Sequence, residues 1–281
     1  MAKFGIISNL TKDYGLKLTS SIVNWIESKG NNVFLSDIVA SKLNRPEIGF
    51  SRSHLYENVD FLIVLGGDGT LLGVARDAAK SNVPIIGINM GHLGFITEVE
   101  KEDTFLALEK IINGDYSLQE RSILEATVIK NGEVGESLYC LNEAVITKGT
   151  LSRMITLDTF ADNDLINSYL ADGLLISTPT GSTAYSLSAG GPIVSPDVDV
   201  ILITPICPHT FCSRSIVVSN SKTITVEISE SPEEVFLTCD GQKGIRLNKM
   251  DKVVVKKAPF SIKFIKVSER SFFDILRNKL K

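Results

Sequence analysis

The chain of 281 residues has no surplus of positive charge: 29 Lys and Arg stand against 33 Asp and Glu, for a formal net charge of −4. Nucleic-acid-binding domains concentrate cations on one face, so this balance argues against a nucleic-acid partner. No apolar run reaches the ~20 residues that cross a bilayer, which argues against a membrane protein. The start, Met1-Ala2-Lys3-Phe4-Gly5-Ile6-Ile7-Ser8, runs directly into a strand pattern and lacks the signature of a secretory signal. With 4 cysteines there is no disulfide framework, and Cys207 and Cys212 lack well-placed partners for a zinc site. These absences give the expectation of a cytoplasmic protein with reduced thiols. No repeat and no low-complexity segment is visible.

What is present centres on Phe61-Leu62-Ile63-Val64-Leu65-Gly66-Gly67-Asp68-Gly69-Thr70-Leu71-Leu72. The apolar run reads as a strand buried on both faces. Glycines interrupt it, and helical spacing follows from Leu71 through Ala79. Strand, glycine turn and helix in that order place the turn at the carboxyl end of a sheet, where open α/β folds bind ligands. Helix-leading amides attract anions there. The turn is neither a P-loop, lacking Gly-Lys-Ser/Thr, nor a Rossmann fingerprint, lacking Gly-x-Gly-x-x-Gly. Asp68 sets it apart. A carboxylate in that position suits a cation, a sugar hydroxyl, or a proton taken from one; it also suits a plain helix cap.

Strand and helix patterns alternate over the first part of the chain: strands at 4–8, 32–35 and 83–89, and a helix over 11–29. This is a doubly wound parallel sheet. Residues 36–57 are polar and weakly patterned, and a mobile loop with at most one helix is expected there. A second glycine turn, Asn89-Met90-Gly91-His92-Leu93-Gly94-Phe95, follows. After about residue 118 the segments become short and β-rich, with turn signals at Asn131-Gly132, Asp162-Asn163 and Asp172-Gly173. The expected division is an α/β domain over 1–118, completed by a terminal helix over 266–281, and a mostly-β domain over 119–265. Within the second part, Asn142-Glu143 interrupts an apolar strand over 140–147. Thr178 through Pro192 is dense in hydroxyls and glycine, with Tyr185 as its aromatic, and suits a wrapped nucleotide better than a bare loop.

These stretches, together with Thr204-Pro205-Ile206-Cys207-Pro208-His209 and Asp240-Gly241-Gln242, resemble the NAD kinase family in content and order. The glycine turn alone is shared with diacylglycerol kinases, sphingosine kinases and 6-phosphofructokinases; the Thr/Ser/Gly stretch is the specific part. The resemblance implies an α/β domain followed by a β domain, with an NAD site in the cleft between them. It implies transfer of a phosphoryl group from ATP, or polyphosphate, to the 2′-hydroxyl of the adenosine ribose of NAD. It further implies a divalent cation, Mg²⁺ by preference, and a homodimer or homotetramer. Carried over by residue, Asp68 is the acid near the reacting centre with Gly69 beside it. Asn142, Glu143, Thr180, Thr183, Ala184 and Tyr185 line the adenosine pocket, with Phe95 and Ser188 as neighbours. Asp172 reaches a ligand held mainly by an adjacent subunit. No Lys or Arg lies within the motif turns, which is why a cation is expected to carry the phosphate charge. Two rivals remain: a lipid kinase, which would need a pocket for acyl chains, and an NAD-binding sensor without catalysis.

Overall fold

The computed structural model describes residues 1–91, 94–97, 99–149, 153–210, 213–230 and 234–280. It divides into two compact units, Met1–Glu120 with Phe260–Lys281, and Arg121–Pro259.

The first unit is built on β1 (Lys3–Ser8), α1 (Lys17–Ser28), β2 (Asn32–Ser36), α2 (Asp37–Lys42), β3 (Gly49–Phe50), α3 (Arg52–Asn58), β4 (Phe61–Gly66), α4 (Asp68–Ala78), β5 (Ile85–Asn89), β6 (Val99–Glu100) and α5 (Thr104–Asn113). The strands are parallel, in the order β5-β4-β1-β2-β3 with β6 beyond β5. Leu62 to Leu65 and Ile85 to Ile88 are buried throughout, as strands covered on both faces require. Ile6, Ile63, Ile86 and Ile88 pack with Ile22 and Ile26 of α1 and Leu108 and Ile111 of α5.

Two expectations are corrected here. Residues 36–57 are not a loop: α2, β3 and α3 occupy them. Val39, Ala40, Leu55 and Tyr56 supply the buried positions, too few per helix to give a readable periodicity. Helix α1 begins at Lys17 rather than near Thr11. Gly15 and Leu16 have φ of 68° and 53°, and a left-handed backbone cannot continue a right-handed helix.

The second unit holds most of β7 (Ser117–Lys130), β8 (Glu133–Cys140), β9 (Glu143–Lys148), β10 (Ile155–Ala161), β11 (Asp164–Ala171), β12 (Gly173–Ser177), the short helix α6 (Tyr185–Ser188), β13 (Val200–Ile206), β14 (Ile216–Ser219), β15 (Ile224–Glu230), β16 (Val235–Cys239), β17 (Lys243–Leu247) and part of β18 (Lys252–Lys266). One antiparallel sheet runs β14-β13-β12-β9-β16-β17. It packs over strands β10, β15 and β18 through Ile146, Leu174, Ile176, Leu237, Leu157, Val226 and Val253, all fully buried. The continuous strand read over 140–147 is two strands, β8 and β9, with Leu141 and Asn142 at the break. The chain ends in α7 (Phe272–Lys279), capped by Ser271 and Asp274 in a reciprocal box. No described helix is long and apolar enough to cross a membrane.

Candidate active site

In the first unit the site lies along the carboxyl edge of β1, β4 and β5. Gly66 pairs with Asn89 at the end of the ladder. Gly67 is the N-cap of α4, and Asp68 its first residue. A side chain at position 66 would meet the Thr70 side chain at 2.6 Å, so the strand turns into the helix only with glycine there.

The Asp68 carboxylate does not stand free. Phe95 N–H donates to its Oδ2 at 2.7 Å. Ile96 N–H, Thr97 N–H and Thr97 Oγ1 donate to its Oδ1 at 3.4, 3.1 and 3.0 Å. Asp68 therefore ties the second glycine turn to the first. A Cβ at Gly94 would sit 1.7 Å from Asp68 Oδ1, so the two turns close only around glycine. Oδ2, with one donor, keeps acceptor capacity for a further group. Gly69 is exposed beside it, and Phe95 is half-buried with Lys279 Nζ 5.4 Å from its ring centre. His92 and Leu93 of this turn lie outside the described residues.

In the second unit the break between β8 and β9 is held by Asp240. Its carboxylate accepts from the N–H groups of Leu141, Asn142 and Glu143 at 2.9, 2.9 and 3.2 Å. Thr178 secures the same corner, with its Oγ1 donating to Leu141 O at 2.5 Å and its N–H donating to Asn142 O at 2.9 Å. Gly181 comes so close that a Cβ there would lie 2.2 Å from Asn142 O. The Thr/Ser/Gly stretch is thus packed onto Asn142-Glu143, with Thr183 Oγ1 donating to Thr180 O at 3.2 Å. Tyr185 is 45% exposed, Ala184 is half-buried and Ser188 is exposed.

Glu143 is 6% exposed, and its Oε2 has no hydrogen-bond partner. Burial first, and the Asp240 charge second, push its pKa up to about 8, against a smaller opposing bond from the Tyr185 backbone. An orphaned polar atom in a buried wall is costly unless a ligand pairs with it.

Asp172 is not brought to this cluster. Strand β12 pairs Ser177 with Glu143 at one end and Gly173 with Thr147 at the other. Asp172 therefore sits roughly 15 Å along the strands from Glu143 at about 3.3 Å per residue, where it pairs with Lys148 Nζ at 2.9 Å. His209 is exposed, its N–H donating to Leu170 O at 2.8 Å. Among the described residues no group of three His, Cys, Asp or Glu side chains is placed to hold a metal ion. Three residues escaped the sequence reading of the site. Thr97 carries no motif signal, Asn89 is legible only as the start of the second glycine turn and not as a site residue, and Lys12 lies about 55 residues before the turn it reaches. Asp240 was visible as a motif, but its clamp on three amides was not.

Residues 4–116 match the ATP-NAD kinase N-terminal domain and residues 141–267 the ATP-NAD kinase C-terminal domain. The chain belongs to the NAD kinase family. It is 48% identical to the NAD kinase of Thermoanaerobacter sp. (strain X514) over 280 residues, covering 100% of this chain and 99% of that protein. With the NAD kinase of Symbiobacterium thermophilum it shares 41% over 280 residues, covering 100% and 99%. Among solved structures, yeast NADH kinase complexed with NADH superimposes with a TM-score of 0.90 at 26% identity, covering 100% of this chain and 87% of that one. An NAD kinase from Archaeoglobus fulgidus in complex with ATP shares the fold, with a TM-score of 0.77 at 24% identity over 99% and 98%.

Proposed function

We infer that the protein phosphorylates NAD to NADP with ATP as donor. The observation that carries this is the match of both halves of the chain to the two NAD kinase domains. The 2′-oxygen of the adenosine ribose forms a bond to the terminal phosphorus. The bond from that phosphorus to the bridging oxygen breaks, and ADP leaves. The proton of the attacking hydroxyl needs an acceptor, and Asp68 Oδ2 is suited to that role by its open acceptor site. Positioning and charge neutralisation dominate such transfers. The amides leading α4 are suited to the donor phosphates.

The adenosine end belongs to the second unit in this reading. The unpaired Oε2 of Glu143 supports a hydrogen bond to the ligand, and Asn142, Thr180, Thr183, Ala184, Tyr185 and Ser188 form its surroundings. Gly69 and Phe95 border the reacting centre in the first unit. A divalent cation, Mg²⁺ by preference, belongs to this reading and would neutralise charge on the donor phosphates. Asp172 serves the ligand of an adjacent subunit in a homodimer or homotetramer, which accounts for its distance from Glu143. A cytoplasmic setting is part of this reading.

Incubating the pure protein with ATP, Mg²⁺ and NAD, and detecting NADP with an NADP-specific dehydrogenase, tests the assignment. Phosphate delivered to a lipid or a sugar phosphate with NAD untouched would overturn it. NAD binding without turnover would make the protein a sensor.

A further inference from the structure

The loop between β1 and α1 is stitched to the glycine turn. Asn9 N–H donates to Leu65 O at 2.9 Å, and Asn9 Nδ2 donates to Thr70 Oγ1 at 2.9 Å. Lys12 N–H and Asp13 N–H both turn back to Asn9 O, at 3.0 and 2.9 Å. The far end of the loop is pinned by Asp13, 3% exposed, which accepts from Leu18 N–H, Thr19 N–H and Thr19 Oγ1. Lys12 stands between these anchors and folds over the turn: a Cβ at position 67 would lie 2.7 Å from its Nζ.

This is an unusual place for an ammonium. The N-terminus of a helix is its positive end, and Gly67 is the N-cap of α4. No carboxylate of a described residue lies within 4.0 Å of Lys12 Nζ, although acids are plentiful in the chain. Two positive features face each other without an ion pair among the described residues. A second unpaired donor lies on the same edge: Asn89, 2% exposed and opposite Gly66, uses its Oδ1 for Gly91 N–H while its Nδ2 has no partner. Unpaired donors after β1 and at the end of β5, with helix-leading amides at the end of β4, thus lie along one edge of the sheet.

We propose that Lys12 is a contact for the phosphate chain of the donor and carries part of the charge that moves onto the leaving group. The proposal deepens the reading of the glycine turn as the donor site and rests on it. It also changes the ledger of charge, since a protein cation shares the load otherwise left to the metal. Lysine suits the task as a compact point charge on a flexible stem.

Lys12→Met and Lys12→Arg decide it. The Lys12 side chain is exposed and makes no hydrogen bond among the described residues, so both variants keep the wild-type melting temperature. Lys12→Met raises KM for ATP by about 10- to 100-fold, as for loss of a charge-assisted hydrogen bond. KM for NAD stays within about two-fold of wild type, and Lys12→Arg restores most of the loss, because a structural role would not split the two substrates. An active Lys12→Met enzyme with the wild-type KM for ATP overturns the proposal. Failure of the underlying reading is a different result: wild-type protein would then form no NADP from ATP.

Discussion

Burial makes the charged form of Glu143 costly, and the neighbouring Asp240 carboxylate adds to the cost. With a pKa of about 8 in the fold against an ordinary 4.5, the side chain is neutral near pH 7 and offers a hydroxyl donor. Between those two values the folded chain holds a proton that the unfolded chain releases. Stability therefore falls as pH rises across that window and levels off above about 8. Glu143→Gln keeps a neutral donor. It should hold KM for NAD at pH 7 within about three-fold, remove the rise in KM above pH 8, and flatten the decline of melting temperature between pH 5 and 8. Loss of NAD binding in that variant at pH 7 would mean that the ionised carboxylate is what the ligand needs. Asp240→Asn gives a second handle on the same group. Removing the negative charge should shift the upper limb of the pH profile toward acid, and replacing one acceptor oxygen with an amide should cost about 1–3 kcal/mol by thermal unfolding. An unmoved profile would take Asp240 out of the electrostatics of Glu143.

At the scale of elements, the two glycine turns work as a pair closed on one carboxylate. Asp68→Asn places an amide among donors from Phe95, Ile96 and Thr97, so both turn geometry and proton acceptance suffer. The expected result is kcat down by roughly 10²- to 10⁴-fold, with NAD still bound by calorimetry. Outright loss of binding would assign Asp68 to ligand contact instead. Gly94→Ala tests the pairing without substituting the acid. Its new methyl would occupy the Asp68 carboxylate position, so activity should fall by a similar factor while the buried core around Ile63 and Ile86 stays intact in the circular dichroism spectrum. Wild-type activity in Gly94→Ala would show that the second turn can retreat without cost.

At the scale of the whole molecule, Asp172 stands apart from Glu143 along the same sheet, and the reading given above sends it to a neighbour's ligand. Asp68→Asn and Asp172→Ala chains would then complement each other. Co-expressed as dimers, they should recover about a quarter of wild-type activity, because half the dimers are mixed and each carries one intact site. No recovery, or an active monomer in light scattering, would remove the shared site. Much of this molecule is legible in its residues. The buried strands Leu62–Leu65 and Ile85–Ile88, the glycine turns, the Thr/Ser/Gly stretch and the terminal helix all announce themselves, because period and turn chemistry are properties of neighbours in the chain. The segment 36–57 was unreadable, since α2 and α3 each bury only two side chains and owe their form to the sheet they cover. The site was legible as motifs but not as geometry. Asp240 holds amides about 100 residues away, Asp68 holds a turn 27 to 29 residues on, and Lys12 reaches Gly67 across three strands and three helices. Contacts of that span leave no periodic trace. Sequence alone determined the family, the elements and the chemical groups on offer; the tertiary structure decided which of those groups face one another, because hydrogen bonds and charges act over a few ångströms of space and are indifferent to distance along the chain.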